Sequence, residues 1–288
     1  MRTIVPTLWG TFLQTCAHLK KPFVAQEHTT LNEKFDVQKN VTLNTGEMPS
    51  LGYWTIGNGG HKVQIGAQGF PKITPIDHQA DHAALYSHLP FVLRDPTNDL
   101  PPATRDKYAL RKEVSVEGRT YIAYYLKRLD LGETSVHLKR TQVADGVRTV
   151  TEYIPTSANL SPIAPSISNV GTVTTSGEYL SSSATITIVF DEFDVQELLN
   201  VANILYGDES YAVISEIGLC TGVDRTVAAQ GQSGQFNYRE VLSCQVAAFI
   251  PVHYEMIFHS QGFTYMSEVG AVEPLLGAVS MASGAVSG

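Results

Sequence analysis

A chain of 288 residues, 43% of them hydrophobic, is long enough to bury one large core or two modest ones. Its formal charge of −8 argues against a nucleic-acid clamp, whose grip on phosphate comes from clustered Lys and Arg, and no sequence-specific nucleic-acid partner is expected. Only 17% of residues are charged, so an uncharged polar surface is expected, suited either to permanent subunit contacts or simply to a Ser/Thr-rich β protein. The odd count of three cysteines, Cys16, Cys220 and Cys244, contains no C-x-x-C pair and points to reduced, buried thiols rather than a disulfide framework or zinc knuckle. No segment reaches the ~18 uninterrupted apolar residues of a membrane span, and Pro6 and Gln14 interrupt any signal-peptide core, so the product is expected in the cytoplasm when made.

Residues 7–20 place Leu8, Trp9, Phe12, Leu13, Cys16 and Leu19 along one side of a helix that Pro22 ends. From 24 to 74, short extended pieces alternate with Asn44-Thr45-Gly46, Met48-Pro49 and Gly57-Asn58-Gly59-Gly60. So long an irregular run predicts an arm lying across another subunit, or else a loop packed over its own domain. Residues 75–89 read as a helix, with Asp77 or Asp81 near its start and Ala80, Ala83, Ala84 and Leu85 as helix formers.

The pattern then turns to β. Residues 108–116 and 119–130 flank Glu117-Gly118 as a hairpin, and both faces of residues 121–126 are apolar, which predicts cover on both sides. A second hairpin, 135–143 with 147–154, turns at Ala144-Asp145-Gly146. The three prolines of 155–165 mark the expected boundary between lobes. Strands follow at 166–174 and 183–190, then a helix over 194–206 with Asp194 and Glu197 as capping box and Gly207 as stop, then strands at 211–220, 237–250, 252–259 and 262–267. Residues 221–235 read as an exposed loop. The expected fold is therefore mainly β with a few helices: antiparallel, sandwich-like lobes with an extended N-terminal arm. Its parts are 1–75 as helix and arm, 76–155 as helix and hairpin lobe, 166–276 as C-terminal β lobe, and 277–288 as a flexible tail.

The sharpest chemical constellation is Asp77-His78-Gln79-Ala80-Asp81-His82, with His88 beyond. On a helix, His78 and His82 would project from one face, and with Asp81 they are the metal-ligand candidates. The metalloprotease pattern needs Glu directly after the first His, and Gln79 stands there, so a solvent-facing or interface helix is the preferred reading. The Gly57–Gly60 run lacks a Gly-Lys-Ser/Thr ending and reads as a tight turn requiring positive φ rather than a phosphate cradle. Asp191, Glu192 and Asp194 read as helix capping, and Tyr53, Trp54, Tyr124 and Tyr125 as core aromatics. Lys127-Arg128 and Lys139-Arg140 read as solvated strand ends. No catalytic residue and no cofactor site is assigned.

Two stretches carry a family resemblance. Tyr211-Ala-Val-Ile-Ser-Glu-Ile-Gly-Leu-Cys220, with the 221–235 loop and the 237–250 strand, resembles the closing β-meander of structural proteins from tailed bacteriophages. Tyr53-Trp54-Thr55-Ile56-Gly57-Asn58-Gly59-Gly60-His61 and Leu89-Pro90-Phe91-Val92-Leu93-Arg94 are similar to segments of phage virion proteins. The resemblance implies a non-enzymatic virion component, a ring-forming head-to-tail neck or connector protein. Its partners would be further copies of itself and portal, neck or tail proteins, and its location the virion. A baseplate or other tail position is the nearest alternative. From other classes come a metal-dependent hydrolase using Asp77, His78, Asp81 and His82, and a glycan-binding module stacking sugars on Tyr53 and Trp54.

Overall fold

The computed structural model describes residues 4–162, 177–231, 234–257 and 261–274; the strand expected at 166–174 and the tail at 277–288 lie outside them. The fold is mainly β with a few helices. In chain order the elements are β1 (Val5–Pro6), α1 (Leu8–His18), α2 (Leu31–Phe35), β2 (Ser50–Gly57), β3 (His61–Ile65), β4 (Pro71–Pro75), β5 (His88–Leu89), β6 (Val92–Arg94), α3 (Pro102–Arg105), β7 (Tyr108–Val116) and β8 (Arg119–Arg128). There follow β9 (Val136–Ala144), β10 (Val147–Glu152), β11 (Gly177–Phe190), α4 (Glu192–Tyr206), β12 (Val213–Gly231), β13 (Gly234–Met256) and β14 (Phe263–Pro274).

The chain divides into a larger unit, Met1–Asp130 with Val189–Thr264, and a smaller one, Leu131–Ile188 with Tyr265–Gly288. The prolines of 155–165 thus fall inside the smaller unit rather than between units. No helix among the described residues is long and apolar enough to cross a membrane.

The larger unit is built on an eight-stranded antiparallel sheet in the order β1-β13-β12-β2-β8-β6, with β5 also on β2 and β7 on β8. Its inner strands are buried on both faces, as near-continuous apolar runs require. Ten successive residues of β12 are buried from its start, and in β13 Val241 and Phe249 are buried as well as Leu242, Cys244, Val246 and Ile250, which strict alternation would place on opposite faces. Trp54 meets Phe91 edge-on at 4.7 Å between ring centres, and Phe190 stacks on Phe263 at 5.1 Å. All three cysteines are free and buried.

Local signals set the short turns. Glu117-Gly118 and Asp145-Gly146 all take positive φ, the two-residue geometry that matches strand twist, and close β7–β8 and β9–β10. Thr7 caps α1 by accepting the Gly10 N–H at 3.1 Å. The cap of α4 is Asp191, whose partner in the capping box is Asp194; the expected box of Asp194 and Glu197 sits three residues too late. Glu197 is instead drawn to the Arg94 guanidinium.

Four expectations are corrected. Of the two courses expected for residues 24–74, the arm across another subunit gives way to packing on the chain's own core: Leu31, Phe35, Tyr53, Trp54 and Ile56 are buried, and β2 lies between β12 and β8. At the bulge where Ser243 takes positive φ, Asn32 replaces a strand neighbour, donating to Val241 O and accepting from Cys244 N, both at 2.8 Å. Residues 221–231 and 234–235 are strand rather than loop, with β12 and β13 paired from Thr221↔Gln245 to Gly231↔Gly234, and 232–233 lie outside the described residues. The 75–89 helix is absent, for a reason given with the site below. Lys127 is no solvated strand end but a buried ammonium on Asp194.

That pair joins β8 to α4. Asp194 also accepts the Asp191 N–H at 2.8 Å, and Lys127 donates to Val189 O at 3.3 Å. Burial pushes the Asp194 carboxyl up, and Lys127 pulls it back. Removing one member leaves a buried charge without its counterion. Lys127→Met is therefore expected to cost roughly 3–5 kcal/mol in urea unfolding, with part of the loss recovered in Lys127→Met/Asp194→Asn. An unchanged midpoint for the single variant would rule out a buried pair.

Candidate functional site

The most concentrated group of polar contacts surrounds Glu216, in the Ile214-Ser215-Glu216-Ile217 stretch of β12. This carboxylate is buried in an inner strand, where an unpaired charge would be costly. It accepts four donors. Oε1 takes the backbone N–H of Gly59 and of Ser87, both at 2.9 Å; Oε2 takes the Tyr86 N–H at 2.9 Å and His78 Nε2 at 2.8 Å.

Ser215 works beside it, its Oγ accepting the Gly60 N–H at 3.0 Å and meeting His61 Nδ1 at 2.9 Å. Two separate loops, 57–61 and 76–88, are thereby tied to adjacent residues of one strand. The glycines are there for close approach and not for positive φ, which none of Gly57, Gly59 or Gly60 adopts. A Cβ at Gly57 would stand 2.3 Å from Ser87 O and 2.6 Å from Glu216 Oε1, and one at Gly60 would stand 2.5 Å from Ser215 O.

The same contacts explain the missing helix. In a helix over 75–89, the N–H groups of Tyr86 and Ser87 would bond four residues back; here Glu216 holds them, and residues 76–87 form turns and bends. The imidazole of His78 lies flat between Phe249, at 3.7 Å and 6° between planes, and Tyr86, at 4.4 Å. Its Nε2 faces the carboxylate, and its Nδ1 lies 3.1 Å from His82 Nδ1. From the other side, Trp9 Nε1 donates to His82 O and Leu8 N to Ala80 O, so α1 holds the loop down.

His78 and His82 are thus brought together, though by a turn and not by a helical face, while Asp81 and Asp77 are exposed. Among the described residues, no group of three or more His, Cys, Asp or Glu side chains is placed to hold a metal ion. Glu216 escaped the sequence reading because a single acid inside a strand motif was read as part of the strand. The signal available was its position: a carboxylate between Ile214 and Ile217 in an otherwise apolar run must find donors.

Tyr53 and Trp54, candidates for sugar stacking, are both buried. Tyr53 OH donates to Asp224 at 2.7 Å, and Trp54 is 1% exposed. Tyr124 OH donates to Asp99 at 2.7 Å, and Tyr125 stacks on Phe35 at 4.1 Å. As expected of core aromatics, these rings present no free face for a sugar.

Two groups of the larger unit titrate far from their ordinary values. His88 accepts the Leu85 N–H on Nε2 and so donates from Nδ1 to Thr55 Oγ1 at 3.1 Å. Burial, with Lys34 and His78 nearby, holds its imidazole down at about 3. Glu240, which accepts the Arg111 N–H at 3.1 Å, is pushed up to about 7 by burial, against the pull of Arg111 and Gln38.

The chain matches a family of unknown function, DUF7208, over residues 1–283, and belongs to it. No curated protein and no solved structure matches it.

Two measurements follow from this geometry. Glu216→Gln turns two of the four acceptor positions into donors facing donors, and is expected to lower unfolding free energy by roughly 3 kcal/mol; a loss below ~0.5 kcal/mol would mean that the carboxylate does not hold the loops. For Glu240, the folded chain keeps between pH 4.5 and 7 a proton that the unfolded chain releases, so this group's contribution falls as pH rises through about 7. His88 acts oppositely: between about 3 and 6.5 only the unfolded chain binds its proton, and stability is lost as pH falls through that window. Glu240→Gln should therefore gain on the wild type by roughly 3 kcal/mol between pH 4.5 and 7, and His88→Gln should lose on it as pH rises from about 3 to 6.5. Parallel stability curves would contradict both assignments.

Proposed function

We propose that this protein is a non-enzymatic structural component of a tailed-bacteriophage virion, a ring-forming neck or connector protein that packs against copies of itself and against portal, neck or tail proteins. The phage assignment rests on the resemblance of residues 211–250 and 51–94 to virion proteins. One observation carries the assembly character. The β9–β10–β11 sheet of the smaller unit turns Val136, Leu138, Val143, Val147 and Val150 to solvent, Val136 being 70% exposed, while Thr141, Ser181 and Ser183 are buried. Among the described residues this sheet has not completed its burial, and in this reading subunit contacts supply the missing cover.

The polar cluster supports the same reading from the other side. Glu216 has donors on both oxygens, and His88 accepts on Nε2 and donates from Nδ1, so these groups hold loops in place and offer no lone pair to a substrate.

Quantitative mass spectrometry of purified, nuclease-treated phage particles is expected to find the chain at a fixed copy number per particle, retained through high-salt washing. Its absence from intact particles, with the protein found only in the soluble lysate, would overturn the assignment.

A further inference from the structure

The four-stranded sheet runs β10-β9-β11-β14, so among the described residues β10 has a neighbour on one side only. All six of its residues, Val147-Arg148-Thr149-Val150-Thr151-Glu152, are exposed. Bare edges recruit other strands, and proteins commonly blunt them with charge. Here the charges are of opposite sign and stand symmetrically, two residues either side of Val150.

The free backbone groups of the edge are identified by its ladder. Tyr153 N–H donates to Leu138 O at 2.8 Å, in register with Val147↔Ala144 through Glu152↔Lys139. By the alternation of an antiparallel pair, Thr149 and Thr151 also face β9, and the N–H and C=O groups of Arg148, Val150 and Glu152 face outward.

We propose that β10 pairs antiparallel with β10 of a second copy of this chain, about a twofold axis through Val150. In this register Val150 meets Val150, Thr149 meets Thr151, and Arg148 meets Glu152 twice. The outward N–H and C=O groups of 148, 150 and 152 face each other as hydrogen-bonded pairs. The ladders of two subunits then join into one continuous eight-stranded sheet, an isologous contact of strand-addition type.

Neighbouring registers lack this match. A twofold axis at Thr149 sets Arg148 against Val150, and one at Thr151 sets Glu152 against Val150. Axes at Arg148 or Glu152 oppose like charges, which is destabilising. The charges are also available. Among the described residues the sheet's ion pairs are Lys139–Glu268 and Arg140–Glu178, and Arg148 and Glu152 stand outside both. Lys139, in register with Glu152, is the cation that could compete for it, and its ammonium is on Glu268.

Six residues a side make a contact smaller than the 1,200–2,000 Å² typical of stable complexes, so a dimer forming at tens of micromolar, on that order, is expected. The proposal does not rest on the virion assignment.

Sedimentation velocity on the full chain, from about 1 to several hundred micromolar, tests it. The wild type is expected to pass from monomer to dimer. Arg148→Glu and Glu152→Arg should each weaken dimerisation at least ~tenfold, and the double reversal Arg148→Glu/Glu152→Arg should restore it to within about threefold, because the opposed charges are exchanged and not lost. Val150→Pro removes an outward N–H that β9 does not use, and should leave a folded monomer. Circular dichroism confirms folding, and the exposed charge reversals decide the matter if the proline variant does not fold. A monomer at every concentration, a dimer indifferent to the single reversals, or a double reversal without recovery overturns the pairing. A larger closed assembly unaffected by these substitutions also overturns it, while leaving the proposed function standing.

Discussion

The structure turns on one buried carboxylate. Glu216 stands in an inner strand flanked by β2 and β13, where a charge without donors is untenable, and it takes its donors from two loops that are distant in sequence. Once it does so, much else is required. Gly57, Gly59 and Gly60 must lack side chains for the loop to reach it, residues 76–87 must give up helical bonding, and His78 must lie flat on Phe249 to present Nε2. These features read as unrelated along the chain and are consequences of a single desolvated group.

How much of this was legible follows from the range of the interactions. Hairpins closed by Glu117-Gly118 and Asp145-Gly146 are written in two residues each, and they appear where the sequence places them. The α1 and α4 helices carry their stripes and stops within one segment, so both were readable, with α4 displaced only at its cap. Residues 75–89 have helix formers and a histidine pair at helical spacing, yet their partners lie on β12 and β13, well over a hundred residues away. Propensity is a weak prior against a buried carboxylate that needs backbone N–H groups. The same distance hid Lys127, whose solvent-like sequence context gives no hint of Asp194. In residues 221–235, glycines and glutamines masked an alternation of half-buried Val223, Arg225, Val227 and Ala229 with exposed neighbours, which is the pattern of a strand.

The scarce charge is unevenly used. In the larger unit, four acids sit at buried or half-buried positions with dedicated partners: Asp99 with Tyr124 and Arg111, Asp194 with Lys127, Glu197 with Arg94, and Glu216 with backbone. Each is a point where removal of one partner would be felt. In the smaller unit the pairs Lys139–Glu268 and Arg140–Glu178 are partly exposed, and such pairs contribute little. Its sheet is held by backbone ladders, with valines turned outward. The two units thus differ in how they use charge: buried, partnered acids in one, backbone ladders with partly exposed pairs in the other.

Why a carboxylate should occupy that position can be argued from register. An apolar residue at 216 would leave the four donors of the two loops without a common acceptor, but it would also free β12 to slide. The strand is already irregular, with shifts in its pairing to β13 at Ile214/Glu216, Leu219/Cys220 and Thr221/Val223. A run of apolar residues buried on both faces discriminates poorly between registers, because either parity offers apolar side chains to either face. Glu216 breaks that degeneracy. A slip of one residue would turn the carboxylate to the opposite face and set Ser215 or Ile217 against the backbone donors, costing several kcal/mol for the buried charge and more for the orphaned N–H groups. The acid therefore contributes less to holding the sheet together than to deciding which sheet is made, and the glycine-rich and histidine-bearing loops are the parts whose placement depends on that decision.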